Sequence, residues 1–153
     1  MVSRSPVFVR RMAVFVALAV LGAGAGVLWP SIQAAERRAR ELALATDLSA
    51  LQLAIEEYQR DHDQQLPGSD GLIVRAELLV QHLTMPTSRD GSIHEGGRFG
   101  PYLRAGIPPN PLDGSDEVRV VTVGSVPAAD GSGGWIFHPP SGRFHPNTRT
   151  DAR

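Results

Sequence analysis

The 153-residue chain contains no cysteine and no lysine. The first absence excludes disulfides, thiolate metal sites and thiol nucleophiles. An extracytoplasmic head would therefore have to be stable without covalent staples. The second leaves all 15 Lys+Arg positions as arginine, a matter of base composition rather than of chemistry. Aromatic residues are only 6% of the chain, and the net charge is −1. No block of like charge runs long enough to mark a nucleic-acid surface. A G-x-S-x-G elbow, a phosphate loop and a pair of carboxylates in an apolar setting are equally missing. Gly131-Ser132-Gly133-Gly134 has no helix after it and reads as a turn. Neither an enzyme nor a small-molecule substrate is expected.

What is present begins with an apolar run. Residues 12–29, MAVFVALAVLGAGAGVLW, carry no charge, and a bilayer needs roughly 20 such residues of helix. Arg4, Arg10 and Arg11 precede the run. Arg37, Arg38 and Arg40 follow at a distance, mixed with Glu36 and Glu41, so the charge bias favours a cytoplasmic N-terminus. The expectation is a basic segment, 1–11, and a single-pass helix, 12–30. The alternative is a cleaved secretory signal, because Ala23, Gly24 and Ala25 give the run a small-residue end. Gly22, Gly24 and Gly26 either permit close helix packing or merely tolerate lipid. Pro30 removes one backbone donor and predicts a kink beside Trp29.

An amphipathic helix is predicted over 31–63. Leu44, Leu48, Leu51, Ile55 and Tyr58 recur at helical spacing and make one stripe, to be packed on the chain's own sheet or on a neighbouring helix. Asp61-His62-Asp63 reads as a solvated helix end, and Pro67-Gly68 as the stop. A globular head is predicted over 64–147. Within it, 72–83 reads as a short helix with Leu72, Leu79 and Leu83 on one face, and 84–116 as a long ordered loop. Residues 117–123 alternate as a strand, and 134–138 with 143–145 form a hairpin around Gly142. The fold class expected is α+β: a long helix on a small antiparallel sheet with a loop-rich head. Tyr102, Trp135, Phe137 and Phe144 are expected between sheet and helix. His138 and His145 read as solvated strand residues rather than a zinc pair, and 148–153 as a disordered tail.

Several strings resemble the type II secretion pseudopilins, a branch of the type IV pilin-like proteins. They are Phe99-Gly100-Pro101-Tyr102-Leu103, then Ile107-Pro108-Pro109-Asn110-Pro111-Leu112-Asp113-Gly114, then Gly134-Trp135-Ile136-Phe137-His138-Pro139 with Ser141-Gly142 and Asn147. They are similar to the family's GPYL, P-x-NP-x-(N/D)G and G-W-x-(Y/F)-x-P-x-x-G elements, in the same order. The resemblance implies a pilin-like head and a structural filament subunit. Its partners would be other pilin-like subunits and secretion-machine membrane proteins, at the bacterial inner membrane. It also offers calcium as a ligand, with Asp113, Asp116, Glu117 and Asp130 as candidate carboxylates. The family's N-terminal signature is not matched: Phe8 stands at the cleavage glycine and Ala13 at the glutamate. That departure opens two alternatives: a membrane-tethered module that never polymerises, and a soluble domain released by signal cleavage.

Overall fold

The computed structural model describes residues 6–123 and 128–149, with side chains from Ser31 onward. The chain divides into two compact units, the first ending at Arg40 and the second beginning at Glu41. Helix α1 spans Pro6–Asp61 and α2 spans Ala76–Thr84; strands β1, β2 and β3 are Val118–Val120, Trp135–His138 and Arg143–Pro146. The α+β class is thus as expected. The expected membrane segment 12–30, with Gly22, Gly24, Gly26 and Pro30, lies outside the residues whose side chains are described. Among the described residues no helix is long and apolar enough to cross a membrane.

Helix α1 ends before Pro67, on a left-handed cap. Asp63 and Gln64 take φ of 51° and 65°. The Gln64 amide donates to the Gln59 carbonyl at 2.8 Å, the six-to-one bond that closes a helix C-terminus. The Asp63 carboxylate accepts two bonds from the Arg89 guanidinium, at 2.7 and 3.1 Å. Those bonds, and then its charge, hold Asp63 below the usual carboxylate range. Gln64 is exposed and has no such partner among the described side-chain bonds. A left-handed residue with a Cβ costs about 1–2 kcal/mol, part of which glycine returns as entropy in the unfolded chain. Gln64→Gly is therefore expected to raise stability by about 0.5–1 kcal/mol in thermal unfolding.

Helix α2 starts later than the predicted 72–83. The Asp70 carboxylate accepts from the amides of both Leu72 and Ile73 at 3.1 Å and pairs with Arg75 at 2.8 Å. That local bonding gives the backbone an alternative to helix. Leu72 consequently sits in the turn, 93% exposed, and not on the face shared by Leu79 and Leu83, both fully buried.

The sheet is mixed, in the order β1-β2-β3, which corrects the antiparallel expectation. β2 and β3 pair antiparallel, with Phe137 opposite Phe144. β1 and β2 pair parallel, with Val118 opposite Trp135. A parallel pair requires a crossover of a dozen or more residues rather than a tight turn, and the sequence separation of Val120 and Trp135 meets that length. Trp135, Phe137 and Phe144 pack with Leu51, Ile55 and Tyr58 of α1 and with Leu79 and Leu83 of α2 in one core. Ile136 and His138, on the other face of β2, are also buried, so the solvated reading of His138 does not hold. Its Nδ1 lies 2.9 Å from the Ser141 hydroxyl. At the described start of the predicted tail, Thr148 bonds Asn110 and Asp113, and Asn147 just before it is fully buried.

Candidate functional site

Among the described residues of the head, two buried polar centres and a surface groove stand out. The first centre lies where α1 meets α2. Tyr58 and His62 are one helical turn apart, so their rings share a face. They stack at 3.8 Å with an interplanar angle of 6°. His62 is fully buried, against the expectation of a solvated helix end. A carbonyl can only accept, so the 2.8 Å contact to the Tyr58 carbonyl places a proton on His62 Nδ1. Its Nε2 lies 3.0 Å from the Thr87 hydroxyl. On the other side of the joint, His82 Nδ1 receives the Gly68 amide at 3.0 Å and faces the Tyr58 hydroxyl at 2.8 Å. Burial pushes the Tyr58 phenol up to about 12, with the Asp90 charge adding to it. Tyr102 donates to Asp61 at 3.0 Å. Its phenol is raised by burial and then by that carboxylate. Helical spacing points to Tyr58 as a buried residue and marks Asp61-His62 as a helix end, but nothing local points to His82 and Thr87 as their partners. The one signal for His82 was a histidine between Leu79 and Leu83 on an apolar face.

The second centre ties three loops together. Asn110 is fully buried. Its amide donates to the Gly134 carbonyl at 2.8 Å and to the Thr148 hydroxyl at 3.1 Å. Its carbonyl accepts the Leu112 amide at 3.0 Å. Asn147 does the same nearby, accepting from the Asp130 amide at 3.0 Å and donating to Ser132 at 2.8 Å. The Trp135 indole donates to the Pro108 carbonyl at 2.7 Å. The remaining motif residues serve the same joints. Tyr102 and Leu103 donate their amides to the Leu83 carbonyl at 2.9 and 2.8 Å, just after the cis Gly100–Pro101 bond. Gly114 and Gly142 turn the chain at φ of 77° and 63°. Pro111 follows Asn110 at half-buried depth.

The four calcium candidates are not gathered. Asp113 accepts from the amides of Ser115 and Gly134 and from Thr148. Burial opposes the shift, but those bonds outweigh it and lower its pKa. Asp130 accepts from Ser132 and pairs with Arg119. The amide and hydroxyl of Ser132, then Asn147 and Arg119, bring it to about 2. Asp116 and Glu117 are exposed. Among the described residues no three His, Asp or Glu side chains are placed to hold one metal ion.

Leu51, Ile55 and Tyr58 are taken up in the head's own core, with Leu44 and Leu48 packed against it in part, so the stripe is no free face for a neighbouring helix. The opposite face of α1 presents Leu42 and Leu53, 74% and 52% exposed. Between them Thr46 and Ser49 return their hydroxyls to the Leu42 and Ala45 carbonyls, leaving no donor unmet. Beside Leu53 runs a groove of about 590 Å³ between α1 and β3, lined by Ser49, Gln52, Glu56, Arg143 and His145 among others. No family model, no curated protein and no solved structure matches the chain.

Proposed function

We propose that the chain is a structural, pseudopilin-like subunit of a type II secretion or related type IV filament machine. On this reading its N-terminal helix holds it in the bacterial inner membrane, with the N-terminus cytoplasmic and the head periplasmic. The observation that carries the reading is where the motif residues lie. Tyr102, Asn110 and Trp135 each fasten a loop to the helix-and-sheet core, at its joints rather than on its surface. Residues that serve a fold in this way support a pilin-like head and no catalytic role. The face of Leu42 and Leu53 is the part of the head's helix left for a neighbouring subunit, in place of the buried stripe.

The second reading, a tethered module that never polymerises, is favoured by Ala13 at the position of the family's assembly glutamate. A carboxylate in lipid is kept only for function, and its replacement removes that function. The absence of native cysteine makes a direct test simple. Leu53→Cys is expected to give disulfide-linked dimers on mild oxidation of native membranes. Leu51→Cys, inside the core, is expected to give none. Linkage from neither position would leave the tethered module standing. A mature N-terminus beyond Ala25 on sequencing would instead support the released soluble domain.

A further inference from the structure

His82 is 4% exposed, and its hydrogen-bonding atoms are committed to one protonation state. The Gly68 amide can only donate, so Nδ1 holds the lone pair. The proton therefore sits on Nε2, on the side of the ring that lies against Gly91. The ring thus joins the turn after α1 to Tyr58 at the end of α1, with the loop that follows α2 packed against its other edge at Gly91. A second proton, at Nδ1, would aim an N–H at the Gly68 N–H. The Tyr58 hydroxyl can rotate to accept it, but a backbone amide cannot.

Around the ring only the Gly91 backbone favours the cation, and burial and His62 outweigh it. From α1, His62 lies close enough to oppose a charge on His82. Asp61 of the same helix accepts from Tyr102, and Asp90 of the loop acts on Tyr58. From α2 itself, Leu79 and Leu83 are apolar. From β1, which packs on α2, Arg119 is paired with Asp130.

We propose that His82 is a proton-operated clasp. While neutral it fastens the Gly68 turn to the end of α1; on gaining a proton it lets go of the Gly68 amide and loosens that joint while the core stays folded. The inference is independent of the assembly reading. Burial first, and then the nearness of His62, lowers the basicity of His82, against a smaller raising effect of the Gly91 backbone. For a base of lowered pKa the sign is fixed. The clasp is fully present above the ordinary histidine value of about 6.5 and is lost as pH falls through the lower value of the folded chain.

The test is amide hydrogen exchange on the full chain in detergent micelles, corrected for the intrinsic pH dependence of exchange. Between about pH 7.5 and about pH 4.5 the protection of Gly68 is expected to fall at least about tenfold, while that of Leu51 holds. The fall should survive in His62→Gln and vanish in His82→Gln. Unchanged protection of Gly68 in the natural chain, or a fall that persists in His82→Gln, would overturn the proposal. If His82→Gln does not fold, imidazole nitrogen NMR of the natural chain decides. A neutral ring protonated on Nε2, titrating together with the loss of Gly68 protection, is the expected result. A ring already cationic at neutral pH, or one titrating apart from Gly68, would overturn it.

Discussion

Alanine at Gly134 is expected to remove about 3 kcal/mol or more of the head's stability, the combined scale of left-handed strain and backbone collision. A melting point lower by more than about 10 °C should accompany it in a domain of this size. The reason lies in how β1 and β2 meet. Gly134 stands at φ of 71°, where a side chain is strained whatever the space around it. Its Cβ would run into the Glu117 carbonyl oxygen and come within 3.0 Å of the Glu117 carbonyl carbon. Nothing there is a flexible side-chain end that gives way. The same carbonyl accepts the Trp135 amide at 2.8 Å, the first bond of the parallel pair. Moving Glu117 to admit a methyl group therefore breaks the register that places Trp135 in the core. Gly134 also offers its own carbonyl to the Asn147 amide at 2.9 Å.

Gly114 supplies the control. Its φ of 77° is nearly the same, but a Cβ there meets nothing within 4 Å. Gly114→Ala should cost only the strain, about 1 kcal/mol. Thermal melts of the two variants thus separate backbone conformation from close approach. Equal losses would mean that β1 yields at Glu117 and that the parallel pair is softer than its bonding implies.

The parallel pair is the part of the sheet that no local pattern in the sequence encodes. Alternation from Glu117 onward announces a strand, and Pro139-Pro140-Ser141-Gly142 announces a hairpin. A period of two is blind to strand direction, so alternation predicts three strands but not that the first runs parallel to the second. The core was more accessible. Leu51, Ile55 and Tyr58 follow the helical period, and Trp135 and Phe137 share one face of β2, which is how they meet. Leu72 broke from its expected face because one carboxylate, Asp70, satisfied two amides that a helix would have used. His62, His82, Asn110 and Asn147 were harder still. Buried polar residues are defined by partners far along the chain, and no local pattern encodes a Gly68 amide for His82 or a Thr148 hydroxyl for Asn110.

That dependence on remote partners makes Asn110→Asp the sharper of the two tests. The substitution keeps shape and changes one polar atom from donor to acceptor. One carboxylate oxygen still accepts the Leu112 amide, as the natural carbonyl does at 3.0 Å. The other then faces the Gly134 carbonyl, which the natural amide meets at 2.8 Å, and the Asp113 carboxylate, which it meets at 3.3 Å. An ionised aspartate is repelled there and poorly solvated, so it is expected to cost about 3 kcal/mol at neutral pH. Its pKa in the folded head must rise above the unfolded value, because protonation restores a donor toward Gly134. The penalty is therefore full above that raised pKa and shrinks as the pH falls toward the unfolded carboxylate value. The natural chain moves the opposite way: Asp113 and Asp130, both lowered, withdraw their support as acid protonates them. The stability gap between Asn110→Asp and the natural chain should thus close on acidification, in urea titrations run at each pH. Asn110→Ala, which has no charge to lose, should hold its gap with pH. Parallel curves for the aspartate variant would mean that the carbonyl and Asp113 do not converge on residue 110, and the knot joining β2, the 110–115 turn and the C-terminal segment would lose its centre.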